Sequence, residues 1–301
     1  MKNSNTQSAD HLTEFTRNFL NGCNENDLDK KIQWIQTDSW IGYISARKIV
    51  ERIENLIEME RMNRMHSLLI LGSTDNGKTS IRKRVESRHR MTTTESGKIR
   101  MPVVSIQMPP GPDVRCLYNS ILKGLMLPIV LSTKVDYIRD IVIDSLNEYN
   151  VRCLMIDEVQ HMDRIPDKKQ RTILDTIKYI SNEISLPMVA FGTLEARNVF
   201  ARDSQLDNRF KKIYLTRWEC NEDFQRLLHT YEASLPLKEP SNLSEPNMAQ
   251  FIYSLTNGTI GEIVTLIRLA AIDAVRAGIE KITVDNIKAV NFESVAYNFE
   301  K

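Results

Sequence analysis

The stretch "LLILGSTDNGKTS", residues 68–80, constrains the fold of this chain more than any other. Four apolar residues run into Gly72, and Gly77-Lys78-Thr79 completes the spacing G-x-x-x-x-G-K-T. Such a loop works where a buried strand feeds a helix. Glycines at both ends let main-chain N–H groups wrap a phosphate, and the helix N-terminus adds a favourable field. Gly72, Ser73, Thr74, Asp75, Asn76, Gly77, Lys78, Thr79 and Ser80 are therefore expected to cradle the phosphates of ATP. Lys78 would reach the β- and γ-phosphates, and the Thr79 hydroxyl would ligate Mg²⁺.

A strand that opens this way asks for a parallel sheet. The runs "SLLILG" (67–72), "MPVVSIQM" (101–108), "RCLMIDE" (152–158), "LPMVAFGT" (186–193) and "KKIYLT" (211–216) read as five buried strands. Helical stretches such as 135–149 and 168–184 separate most of them, so both faces of the sheet should be covered. Residues 9–61 read as helical, with Leu28, Ile32, Ile35 and then Ile49, Ile53, Ile57 on helical spacing, and a short apolar link around Gly42. After Arg217 only helices are expected, at 221–235, 246–256, 261–277 and 284–290.

The acidic pair Asp157-Glu158 ends the third strand, at the sheet edge where ligands bind in open α/β folds. Asp157 would hold Mg²⁺ through water, and Glu158 would orient and deprotonate an attacking water. An adjacent Asp-Glu favours hydrolysis over kinase chemistry, because a water needs a base whereas a kinase needs an acceptor site. Thr193 ends the next strand, within reach of the γ-phosphate or that water. Arg202 and Arg209 precede the fifth strand, where an arginine can serve a neighbouring subunit's nucleotide or simply form a surface ion pair.

Composition narrows the partners. Forty Lys and Arg against 39 Asp and Glu leave a formal net charge of +1, so no global positive field draws in nucleic acid. The basic run "IRKRVESRHR" (81–90) points its charges to several sides of a helix and reads as a solvated surface. Trp34, Trp40 and Trp218 are not interleaved with basic residues and read as packing residues. Four scattered cysteines argue against a disulfide framework or zinc site. No apolar run approaches a membrane span and the N-terminus lacks a signal-peptide core, which predicts a bacterial cytoplasmic protein without membrane partners.

In this order, "GSTDNGKT", "CLMIDE", "AFGT" and "LDNRF" resemble the AAA+ ATPases. "DSWIGYISARKIVERIENL", "ASLPL" and "TNGTIGEIVTLIRLAAIDAV" narrow the resemblance to TniB, the target-selection ATPase of transposons, and its relative TnsC, over roughly residues 30–290. The resemblance implies an α/β AAA+ P-loop NTPase domain with a five-stranded parallel sheet (62–217), an N-terminal helical segment (1–61) and a C-terminal helical lid (218–301). It also implies a regulator that binds ATP, assembles on double-stranded DNA as a ring or helical filament, and recruits an integrase-type transposase similar to TniA or TnsB. A TniQ-like targeting protein is a further candidate partner, and hydrolysis would reset the assembly.

By the same resemblance Lys78 and Thr79 match Walker A, Asp157 and Glu158 match Walker B, and Thr193 matches sensor 1. Arg202 and Arg209 are candidates for the finger in trans, and Ile41, Gly42 and Tyr43 match the segment near the adenine. TnsC-like proteins contact DNA from the segment after the second strand; Arg115, Lys123 and Lys134 are its basic residues here. One departure stands out: a G-x-x-R sensor 2 arginine is missing from "GTIGEIVTLIR", where Arg268 comes two turns in, so slow turnover is expected. Two rival readings are a helicase loader similar to IstB or DnaC, and a small-molecule P-loop kinase.

Overall fold

A computed structural model describes residues 11–23, 27–37, 40–129 and 134–290. Within these the order begins with α1 (Glu14–Asn21), α2 (Leu28–Gln36) and α3 (Ile44–Glu58), then β1 (Ser67–Gly72) and α4 (Lys78–Arg88). A short hairpin follows, β2 (Thr92–Thr93) and β3 (Ile99–Arg100), before β4 (Val103–Gln107), α5 (Val114–Gly124), α6 (Val135–Glu148) and β5 (Cys153–Asp157). A 3-10 helix (Val159–Arg164) leads to α7 (Asp167–Glu183), β6 (Met188–Gly192), α8 (Ala196–Ala201), α9 (Ser204–Arg209) and β7 (Phe210–Leu215). Helices α10 (Glu222–Glu232), α11 (Pro246–Thr256), α12 (Ile260–Arg276) and α13 (Val284–Ala289) complete it. Among the described residues no helix is long and apolar enough to cross a membrane.

The chain divides into two compact units: Ser45–Thr216, and the described residues up to Ile44 together with those from Arg217 onward. In the first, five strands form one parallel sheet in the order β4-β5-β6-β1-β7. The five apolar runs read from the sequence are these strands. β1, β5 and β6 are buried along their whole length, as strands covered on both faces must be. Leu69, Ile70 and Leu71 are fully shielded, and burial of each such side chain stabilises by about 2 kcal/mol. The chain leaves β1 for the far edge of the sheet at β4 and then returns inward through β5 and β6. This places the C-terminal ends of β5, β6 and β1 side by side, the position where open α/β sheets bind ligands.

The second unit is helical. Phe224, Leu228, Ile252, Ile263, Leu266 and Ile267 form its core together with Ile35 of α2. Two polar contacts fix α2 there: Lys31 Nζ on Glu280 Oε1 at 2.6 Å, and Trp34 Nε1 on the Ser234 carbonyl at 3.2 Å. Trp34 stacks on Phe19 with centroids 4.0 Å apart, and Trp218 meets Tyr43 edge-on at 5.1 Å, so both tryptophans are packing residues. Gly258 has φ +70°, and a Cβ there would lie 2.1 Å from the Trp218 carbonyl oxygen. Its own carbonyl accepts the Trp218 N–H at 2.9 Å, so only glycine closes this turn. The loop after α10 is organised by buried Glu232, whose carboxylate accepts from the main-chain N–H groups of Ser241, Asn242 and Leu243 at 2.6–2.9 Å.

Candidate nucleotide site

The loop after β1 opens α4 as its spacing predicts. Asp75 and Gly77 both take positive φ, 57° and 82°, and Gly77 caps the helix in the left-handed region. Asn76 is buried, and its Nδ2 donates to the Leu215 carbonyl at 2.6 Å, fastening the loop to the end of β7. Gly72 is needed for the same approach, since a Cβ would sit 3.0 Å from Leu215 Cβ and 3.2 Å from its carbonyl oxygen. Lys78 is buried, and its Nζ donates to the carbonyls of Gly72 and Ser73 at 2.7 and 2.6 Å. Burial lowers the pKa of Lys78 from its ordinary value, opposed by the charges of Glu158, Asp157 and Asp75. Ser73 is half-buried, whereas Thr74, Thr79 and Ser80 are exposed.

Asp157 ends β5 as a buried carboxylate. Its Oδ1 accepts the N–H of Glu158 at 2.9 Å and its Oδ2 accepts Arg82 Nε at 3.0 Å. Burial raises its pKa, while the Glu158 N–H and the Arg82 charge pull the other way. Arg82 also reaches Glu86 Oε1 at 2.5 Å and Ser105 Oγ at 3.1 Å, so it ties α4 to both β4 and β5. The reading of residues 81–90 as a solvated face therefore fails at Arg82. A basic run has no period that reveals which of its members finds a buried acid.

Glu158 has φ 58°, an uncommon conformation for a side-chain-bearing residue that turns it out of the strand direction at the sheet edge. Its Oε2 accepts Gln160 Nε2 at 2.5 Å, and Gln160 Oε1 accepts the Thr193 N–H at 3.2 Å. Thr193 follows the last residue of β6, and its hydroxyl, with the Glu195 N–H, holds the Glu195 carboxyl below its usual pKa. The phosphate loop, Asp157, Glu158 and Thr193 thus lie at the ends of three adjacent strands. Arg82 and Gln160 join them, and no sequence signal points to either.

Arg202 bonds Asp167 Oδ1 at 2.6 Å and Gln170 Oε1 at 2.7 Å. Arg209 bonds Ser181 Oγ at 3.1 Å and Asn182 Oδ1 at 2.8 Å, and burial together with the charge of Arg64 lowers its pKa. Ile41 and Tyr43 pack against the core of the helical unit, where burial pushes the Tyr43 hydroxyl up to about 12; Gly42 lies between them. Arg115 is half-buried at the start of α5, and Lys123 and Lys134 are exposed at the end of α5 and just before α6. Residues 130–133 of that segment, and 38–39 of the link before α3, lie outside the described residues. Arg268 is half-buried in α12.

The fold is similar to that of ORC2 from Aeropyrum pernix, solved as ADPNP-ADP complexes, with TM-score 0.59, 14% identity, and coverage of 87% of this chain and 73% of that one. ORC1 of the same organism, solved in complex with DNA, gives TM-score 0.59 and 14% identity over 89% and 69%. Cdc6p from Pyrobaculum aerophilum gives 0.59 and 14% over 84% and 68%. No curated protein sequence matches the chain. A five-stranded parallel sheet in this order, with a glycine-lysine loop beside an Asp-Glu strand end, is the AAA+ P-loop fold. Residues 31–220 match the family model described as bacterial TniB protein, and the chain belongs to that family.

Proposed function

We propose that this protein is an ATP-controlled, DNA-bound platform for a transposase: bound ATP drives assembly on double-stranded DNA, and hydrolysis resets it. The observation that carries the ATP half is a buried lysine ammonium folded onto its own loop, with a paired acid and a second acid one residue on. A buried cation whose partners are two carbonyls is poised to exchange them for phosphate oxygens, a stronger charge-assisted bond. Membership of the TniB family, and a fold shared with a protein solved on DNA, support the DNA half.

The donor set suits a magnesium nucleotide. The exposed Thr79 hydroxyl and the Asp157 carboxylate are hard oxygen ligands of the kind Mg²⁺ takes. When bound, the ion would neutralise charge on the β- and γ-oxygens. Lys78 would hold the same oxygens from the loop side. Glu158 would take a proton from water as that water's oxygen bonds to the γ-phosphorus; the bond to the bridging oxygen breaks, and ADP and phosphate leave. Thr193 would orient the water or the γ-phosphate. Arg202 or Arg209 would neutralise charge from a neighbouring subunit, Ile41, Gly42 and Tyr43 would bound the adenine, and Arg115, Lys123 and Lys134 would meet DNA phosphates.

Electron microscopy with a non-hydrolysable ATP analogue, with and without duplex DNA, tests the reading. Rings or filaments that need both nucleotide and DNA, and that disappear in Lys78→Ala, are expected. Monomers under every condition would overturn it.

A further inference from the structure

Gln160 occupies an unusual position for a residue of the 3-10 helix after β5. Its amide spans the two strand ends: Nε2 donates to Glu158 Oε2 at 2.5 Å while Oε1 accepts the Thr193 N–H at 3.2 Å. Space for this bridge comes from Gly192, the last residue of β6. A Cβ there would lie 3.0 Å from Gln160 Oε1, 2.9 Å from Val159 Cγ2 and 2.7 Å from Ala196 Cβ. The 3-10 helix is itself anchored, since His161 Nδ1 lies 2.8 Å from the Met108 carbonyl oxygen. The amide is therefore held at both ends, on a helix that is itself anchored.

We propose that Gln160 is the positioning residue of the catalytic base, setting the rotamer of Glu158 by reference to the main chain at Thr193. The proposal rests on the reading of this site as an ATPase centre. A glutamate side chain has three rotatable torsions, so its backbone alone does not fix where its oxygens point. A donor on Oε2 removes that freedom and leaves Oε1 to face the water. An amide suits this role because it donates one bond and accepts another, and it does not compete for the proton that Glu158 must take. Because the far end of the bridge is a main-chain N–H, the base is registered to β6, and any displacement of that strand end is felt at Glu158.

The test compares wild type, Gln160→Ala and the isosteric Gln160→Glu, with Lys78→Ala as control. ATP turnover and equilibrium binding of a fluorescent ATP analogue are measured with and without duplex DNA. Both Gln160 variants are expected to lose about tenfold to a hundredfold in kcat, the scale of a misplaced catalytic group, while the nucleotide Kd stays within about twofold. Gln160→Glu keeps the shape of the side chain while it replaces the donor on Glu158 Oε2 with a second carboxylate, so the bond to the base is lost without loss of volume. Wild-type kcat in Gln160→Glu would reduce Gln160 to a space-filling role and overturn the proposal. A rise in kcat in either variant would also overturn it, since that would mean the amide masks the base. Failure of the underlying reading looks different: wild type itself would show no turnover, or nucleotide binding would survive Lys78→Ala.

Discussion

Arg82 Nε donates to Asp157 Oδ2 at 3.0 Å, linking the helix that follows the phosphate loop to the carboxylate at the end of β5. The carboxylate is buried and the guanidinium is held on its other side by Glu86 and Ser105. Truncating Arg82 leaves a buried acid without its cation. Arg82→Ala is expected to lower stability by about 2 kcal/mol and to raise the Mg²⁺ concentration for half-maximal ATPase several-fold, because Asp157 loses its fixed orientation. Urea titration and a Mg²⁺ titration of turnover check this; an unchanged Mg²⁺ dependence would count against the positioning role.

Asp157 should also leave a mark on the pH dependence of stability. Burial raises its folded pKa above the unfolded value of 3.8. Between those two values the folded chain binds more protons than the unfolded one, so this group's contribution is complete below 3.8 and is lost as pH rises through the folded pKa. Asp157→Asn removes that loss. Its Tm relative to wild type should therefore climb as pH rises through the window and then level off, while turnover disappears. A Tm difference that is flat with pH would contradict this sign.

Asn76 fixes the phosphate loop through one buried bond to the Leu215 carbonyl. Asn76→Ala leaves that oxygen without its donor at a cost of about 1–2 kcal/mol. Loosening of the loop should raise the nucleotide Kd as well. Gly72→Ala acts on the same approach by crowding Leu215 and should weaken nucleotide binding at least as much. Isothermal titration with ATP is the measurement, and unaltered affinity in both variants would show that this anchor does not shape the site.

In the helical unit Gly258→Ala forces a Cβ against the Trp218 carbonyl at a residue already in the left-handed region. Glu232→Ala strips three N–H groups of their acceptor. Each should destabilise by about 2–4 kcal/mol, among the larger single-site effects. Denaturant curves of the whole chain would reveal it; a loss under about 0.5 kcal/mol, the scale of ordinary surface changes, would be the wrong result.

The question of an arginine in trans can be put to mixed subunits. Arg202 has a partly exposed guanidinium at the end of α8. Lys78→Ala and Arg202→Ala should each be inactive alone, yet their mixture should regain a substantial fraction of turnover, because an intact phosphate loop can meet an intact arginine across an interface. No recovery with Arg202→Ala but recovery with Arg209→Ala would move the assignment to Arg209.

Much of this is legible in the chain itself. The five runs are the five strands; β1, β5 and β6 are legible because a strand buried on both faces must be apolar throughout, whereas β7 at the sheet edge, with Lys211 and Lys212, is not the buried strand its run suggests. Helices α10, α11 and α12 follow from their 3.6-residue period, and 246–256 agrees to the residue with α11. The short elements are not legible: α8 and α9 have six residues each and β2 and β3 two each, too few to carry a period. Helix α5 shows in the sequence only as a segment with basic residues, although its Asp113 N-cap accepts the Cys116 N–H at 2.7 Å.

What the sequence determined by itself is the chemistry available: a glycine-lysine loop after a strand, an acid pair at a strand end, and the order in which they come. These depend on local spacing, which one dimension records. What only the tertiary structure decided is which side chains complete that chemistry. Arg82 meets Asp157 across 75 residues, Gln160 reaches Thr193 across 33, and Asn76 reaches Leu215 across 139. The physical reason is that a parallel sheet orders its strands by crossover connections, so neighbours at the sheet edge are distant along the chain. A hydrogen bond between such neighbours leaves no periodic trace in either segment.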